Sequence, residues 1–130
     1  MLEGLTPKII EKVEKDLRKY PDWLLRIEAE SINSTTYDSV NSKSYSFKSS
    51  VENCVEHNGE IIRKINAIET VYKRRLNEDR KRLIDLRYFQ DEPRWKVMKE
   101  MSIKTKHEYY KIRDFAICSF ARVLGYLKDD

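Results

Sequence analysis

The sequence predicts an all-α protein, and three features carry the prediction. Only three Gly and three Pro punctuate 130 residues. Lys, Glu, Leu, Ile and Arg, which lose little freedom in a helix, are abundant. Apolar residues recur at spacings of three and four through much of the chain. The expected order is an N-terminal helical segment over 1–32, a flexible Ser-rich linker over 33–50, a long connecting or oligomerisation helix over 51–76, and a helix-turn-helix over 77–127.

The first helix starts at Thr6-Pro7, a hydroxyl N-cap followed by proline at the first helical position. Ile9, Ile10, Val13, Leu17 and Tyr20 follow at helical spacing. Pro21 interrupts them, and Asp22, Trp23, Leu24 and Ile27 begin a second apolar face. Two helices, 6–20 and 22–31, or one merged helix, fit this pattern. Such short amphipathic pieces need a partner: each other, the C-terminal unit or a second chain.

Residues 33–50 are dominated by Ser, Thr and Asn and lack a helical stripe, which reads as a linker. Tyr37, Tyr45 and Phe47 are the side chains able to pin it. From Val51 a stripe resumes and runs through Cys54, Val55, Asn58, Ile61, Ile62, Ile65, Ile68, Val71, Tyr72 and Leu76. Gly59 inside it costs about 1 kcal/mol relative to Ala. The stripe fits an intramolecular core helix, or a coiled-coil-like seam joining two chains in a homodimer.

Asn77 offers an N-cap, with Glu78 and Asp79 in the first turn where the helix dipole favours anions. Leu83, Ile84, Leu86, Tyr88 and Phe89 fill a helix over 78–89. Pro93 opens a short helix over 93–101. A turn, Met101-Ser102-Ile103-Lys104, follows, and Thr105 caps the last helix. Tyr109, Ile112, Phe115, Ala116, Ser119, Phe120 and Val123 form its expected buried face, and Gly125 closes it.

Charge is unevenly placed. The net charge is +4, yet residues 72–122 hold 15 Lys+Arg against 8 Asp+Glu. Charged residues make up 37% of the chain, against about 25% for an average globular domain, so each helix needs a wide solvated face. The positive excess sits on the helix-turn-helix and implies an anionic partner. Lys104, Lys106, His107, Tyr110, Lys111 and, in part, Arg113 lie opposite the expected buried face. A helix about 10–12 Å across fits the B-DNA major groove, about 12 Å wide. Its first two turns are where base-reading side chains lie. Lys104, Lys106, Lys111 and Arg113 can donate to guanine or phosphate; Thr105, His107 and Tyr110 can meet phosphate or a thymine methyl. Arg94 and Lys96 begin the preceding helix, close to phosphate. The expected DNA-binding set is therefore Arg94, Lys96, Lys104, Thr105, Lys106, His107, Tyr110, Lys111 and Arg113.

The strings LIDLRYF and RWKVMKEMSIKTKHEYYKIRDFAICSFARVLG resemble region 4 of bacterial sigma factors. Leu83, Leu86, Arg87, Tyr88 and Phe89 match the string before the helix-turn-helix, and Val97, Met101 and Ile103 match the apolar positions around the turn. Ser102 stands where glycine is usual. With KIIEKVEKDLRKYPDWLLRIE and its Tyr20-Pro21 break, the chain resembles the RinA/ArpU family of phage transcriptional regulators over most of its length, the linker excepted. That resemblance implies activation of phage or prophage late genes, and a cytoplasmic, nucleoid-associated location in a bacterial host.

Other chemistries find little here. No apolar run approaches the roughly 20 residues needed to span a bilayer, and the acidic N-terminus lacks a secretory apolar stretch; no membrane partner is expected. Cys54 and Cys118 read as buried reduced thiols. Cys54 and His57 lie three apart, but no second pair completes a metal set. Three isolated glycines make no phosphate loop, and no nucleophile–base pair is visible, so neither an enzyme nor a cofactor is expected. Two further readings share the motif: a module that binds RNA polymerase, and a small terminase subunit for DNA packaging.

Overall fold

The computed structural model describes the backbone of residues 4–41 and 44–127, and the side chains of residues 4–30 and 59–127. Its helices are α1 (Pro7–Asn41), α2 (Ser44–Arg74), α3 (Glu78–Ile84), α4 (Arg94–Glu100) and α5 (Lys106–Leu124), with no strand among the described residues. α3 runs on into a π-helical turn, Asp85–Phe89.

The helix ends follow local chemistry. Thr6 Oγ1 accepts from the Ile9 amide at 3.2 Å. Asn77 Oδ1 accepts from Arg80 N at 2.9 Å, and Thr105 Oγ1 from Glu108 N at 3.1 Å. Each bond satisfies an amide that the first helical turn leaves without a partner. Gly125, at φ 88°, ends α5. The amide of Gly125 reaches Arg122 O at 3.3 Å and that of Tyr126 reaches Ala121 O at 2.8 Å, the paired bonds of a Schellman close.

One core joins both ends of the chain. Val13 and Leu17 of α1, Ile68 and Val71 of α2, Leu83, Tyr88, and Ile117 and Phe120 of α5 are all fully or almost fully buried in a single cluster. Burying such a side chain is worth about 1.5–3 kcal/mol, so α1 and α2 are integral to the unit that carries α3 and α5. Four tyrosine–carboxylate bonds reinforce the seams. Tyr20 donates to Glu69 at 2.8 Å, Tyr72 to Asp85 at 2.7 Å, Tyr88 to Glu14 at 2.6 Å and Tyr126 to Asp16 at 2.5 Å. Asp16 is buried and also pairs with Lys64 at 3.4 Å.

Three points left open or expected otherwise are decided by the structure, the first in favour of the merged helix. The N-terminal segment is one helix, running through Pro21. Proline removes the bond to Leu17 O, but Leu17 in the core and Tyr20 bonded to Glu69 hold α1 against α2 on the near side of the gap. Asp22 is therefore exposed mid-helix and starts nothing. In the stretch read as a linker, the backbone of 33–41 and 44–50 is helical, as α1 ends at Asn41 and α2 begins at Ser44. Ser, Thr and Asn cost well under 1 kcal/mol each in a helix, which propagation from an established helix offsets. The pinning expected of Tyr37, Tyr45 and Phe47 and the seam position of Asn58 lie outside the described side chains.

The third change concerns α5. Phe115 is 42% and Val123 44% exposed, while Ile117, Ala121 and Leu124 are buried. Tyr109, Ala116 and Phe120 are buried as expected. Residues 115–124 are apolar around most of the helix, so spacing alone does not select the inward side; α1, α2 and α3, which all pack on α5, select it. In the second half of α2, Ile65, Ala67, Ile68 and Val71 face the intramolecular core.

Candidate nucleic-acid interface

The turn between α4 and α5 is built from three backbone bonds. Met101 N reaches Val97 O at 3.0 Å, Ser102 N reaches Lys99 O at 3.2 Å, and Ile103 N reaches Met98 O at 2.8 Å. Ser102 takes φ 57°, the left-handed position that favours glycine. Ile103, the residue after it, is buried and anchors the turn in the core. Five residues, 101–105, thus separate the two helices. Thr105 spends its hydroxyl on the α5 cap.

Apart from Thr105, the eight other expected site residues fall into two groups of four. Lys104, Lys106, His107 and Lys111 are exposed, on the turn and the first two turns of α5, and among the described residues no hydrogen bond or ion pair occupies their side-chain nitrogens. They leave an open basic surface at a helix N-terminus. Arg94, Tyr110 and Arg113 form an internal stack instead. Arg94 Nη1 donates to the Tyr110 hydroxyl at 2.5 Å, and the Arg113 guanidinium lies 4.6 Å from the Tyr110 ring centre. Tyr110 meets Tyr109 edge-on at 5.1 Å. Arg113 binds Asp114 through Nε at 2.9 Å and Nη2 at 2.7 Å. Burial is the largest single influence and opposes its charge, but Asp114, Tyr88 and Glu14 together raise the Arg113 pKa and keep the guanidinium charged. Lys96 pairs with Glu92 at 3.1 Å. Arg94 and Lys96 therefore brace the entry to α4, and Tyr110 and Arg113 brace the first half of α5.

A second basic surface went unassigned in the sequence. Arg74, Arg75, Arg82 and Arg122 are exposed, and a cleft of about 400 Å³ lies between Arg75, Ser119, Arg122 and Val123. The run Lys73-Arg74-Arg75 is its sequence signal. Phe115 flanks α3, with the Arg80 guanidinium 3.6 Å from its ring centre. On α4, Trp95 is 66% exposed.

Among the described residues, no group of three or more His, Cys, Asp or Glu is placed to hold a metal; the side chains of Cys54 and His57 lie outside them. Cys118 is a buried free thiol. Among the described residues, no helix is long and apolar enough to cross a membrane. No protein-family model, curated protein or solved structure matches this chain.

Proposed function

We infer that this chain is a sequence-specific DNA-binding transcription regulator of the RinA/ArpU-like type, acting on phage or prophage genes as an activator. One observation carries the reading: Lys104, Lys106, His107 and Lys111 lie exposed on the turn and first two turns of α5, without a partner among the described residues. α4 and the braced turn position α5, and its N-terminal half enters the major groove. Lysines there contact guanine edges and phosphates. The α5 dipole adds positive potential at the same end. The experiment is recovery of fragmented genomic DNA by the purified full chain. Enrichment of a defined sequence is expected, and uniform recovery of all fragments contradicts sequence-specific reading.

A second reading, a module that contacts RNA polymerase, draws on the exposed Val123 beside Arg75 and Arg122 and on the exposed Phe115 next to Arg80. Substituting Lys106 and Lys111 separates the two. Loss of DNA binding with polymerase capture intact favours the reader; the reverse favours the polymerase module. The homodimer and terminase-ring readings need apolar surface for a seam, and the Ile65–Val71 part of α2 is already committed to the core.

A further inference from the structure

We propose that the cleft between α1, α2 and the π-helical turn binds a small organic monocation of the alkylammonium class. The cleft holds about 280 Å³ and is lined by Tyr20, Ile68, Glu69, Tyr72, Lys73, Asp85 and Phe89. Three of these are aromatic. The Phe89 ring centre lies 5.0 Å from that of Tyr20 and 6.2 Å from that of Tyr72, with tilted planes. Aromatic rings lining a cleft attract a cation through their quadrupoles, more strongly once water is displaced.

The two carboxylates on the wall supply the opposite charge. Glu69 Oε2 accepts from the Tyr20 hydroxyl and Asp85 Oδ2 accepts from the Tyr72 hydroxyl. These bonds hold each carboxylate in place and use one oxygen of each; among the described residues, no hydrogen bond reaches Glu69 Oε1 or Asp85 Oδ1. Lys73 is the one cation in the lining, so the wall carries a net charge of −1, which a single ammonium neutralises. Lys81 acts from outside: its ammonium lies 5.5 Å from the Tyr72 ring centre and 4.0 Å from Glu78. An anion meets two carboxylates here, and a neutral apolar molecule leaves their charge uncompensated.

Local backbone geometry points to the same place. Asp85 and Phe89 enter the cleft from a π-helical turn, where Gln90 N bonds to Asp85 O at 2.8 Å. The wider turn aims both side chains at α1 and α2. π-helical turns are rare and frequently mark functional sites.

The proposal does not depend on DNA binding, and its test uses the full chain without DNA. Choline and its neutral carbon isostere dimethylbutanol are each titrated by calorimetry. Choline is expected to bind saturably and at least about tenfold more tightly than the isostere, a difference of about 1.4 kcal/mol. Glu69→Gln with Asp85→Asn keeps both tyrosine acceptors and removes the charge, so choline affinity falls about tenfold or more at an unchanged melting temperature. Lys73→Gln removes the like charge and tightens choline. Absence of saturable choline binding at millimolar concentration, or equal affinity for choline and the isostere, overturns the proposal; both readouts use the unmodified protein and stand even where a variant fails to fold.

Discussion

The Tyr88 hydroxyl donates a 2.6 Å hydrogen bond to Glu14, a residue 74 positions earlier in the chain. Tyr88 is almost wholly buried, in the π-helical turn that precedes α4. The bond therefore ties α1 directly to the frame that carries α4 and α5. Removing the hydroxyl leaves a part-buried carboxylate without its donor. Tyr88→Phe is expected to cost about 2 kcal/mol, read as a lower urea midpoint at an unchanged slope. A midpoint equal to that of the unmodified chain contradicts a structural role for this bond.

Alkaline pH tests the tyrosine network as a whole. Burial, followed by the bond to Asp85, raises Tyr72 from 10.0 to about 12. The same causes, with Glu69 and Glu14 as partners, raise Tyr20 and Tyr88 further. Folded values above the unfolded value mean that this stability is fully present below pH 10 and is lost as pH climbs through the folded values. Tyrosinate absorbance is expected to show a group of phenols that resists ionisation between pH 10 and about 12 and then titrates together with unfolding. Titration of all tyrosines near pH 10 with the fold intact contradicts the network.

Phe115 and Phe120 separate the two possible inward faces of α5. Phe120 is fully buried, whereas Phe115 is 42% exposed, with the Arg80 guanidinium over its ring. Phe120→Asp buries an unpaired charge and is expected to abolish cooperative melting. Phe115→Asp places a carboxylate near Arg80 and is expected to cost less than about 1 kcal/mol. A reversed order in thermal melts restores the face that spacing suggests.

That pair also shows what the sequence can and cannot tell. The caps at Thr6, Asn77 and Thr105 and the close at Gly125 are legible because each is settled within a few residues. The α4–turn–α5 pattern is legible for the same reason, including the need for Ser102 to adapt. The inward side of α5 is not legible, because Phe115, Ile117, Phe120 and Val123 are all apolar and three distant helices decide among them. The tyrosine–carboxylate bonds that join elements are hidden too: Tyr20–Glu69 spans 49 residues and Tyr126–Asp16 spans 110. Among the basic residues, charge marks candidates, but Arg113 finds Asp114 and Arg94 finds Tyr110. Only packing separates these braces from the free lysines.

Ser102 holds φ 57° in the turn. A non-glycine residue there carries about 1–2 kcal/mol of local strain, while glycine loses about 0.5–1 kcal/mol through its freer unfolded chain. Ser102→Gly is expected to raise stability by roughly 0.5 kcal/mol on balance, and Ser102→Val to lower it. A Val variant as stable as Ser in denaturant melts contradicts the left-handed turn.

The salt dependence of duplex DNA binding decides whether α5 reads DNA. For the full chain, log affinity is expected to fall steeply and linearly with log salt, by about 0.9 per phosphate neutralised. Lys106→Ala with Lys111→Ala is expected to weaken binding and to reduce that slope by about 2, with the melting temperature unchanged. Absence of duplex binding by the unmodified protein at low salt, or a slope that the two substitutions leave unaltered, contradicts α5 as the DNA-reading helix.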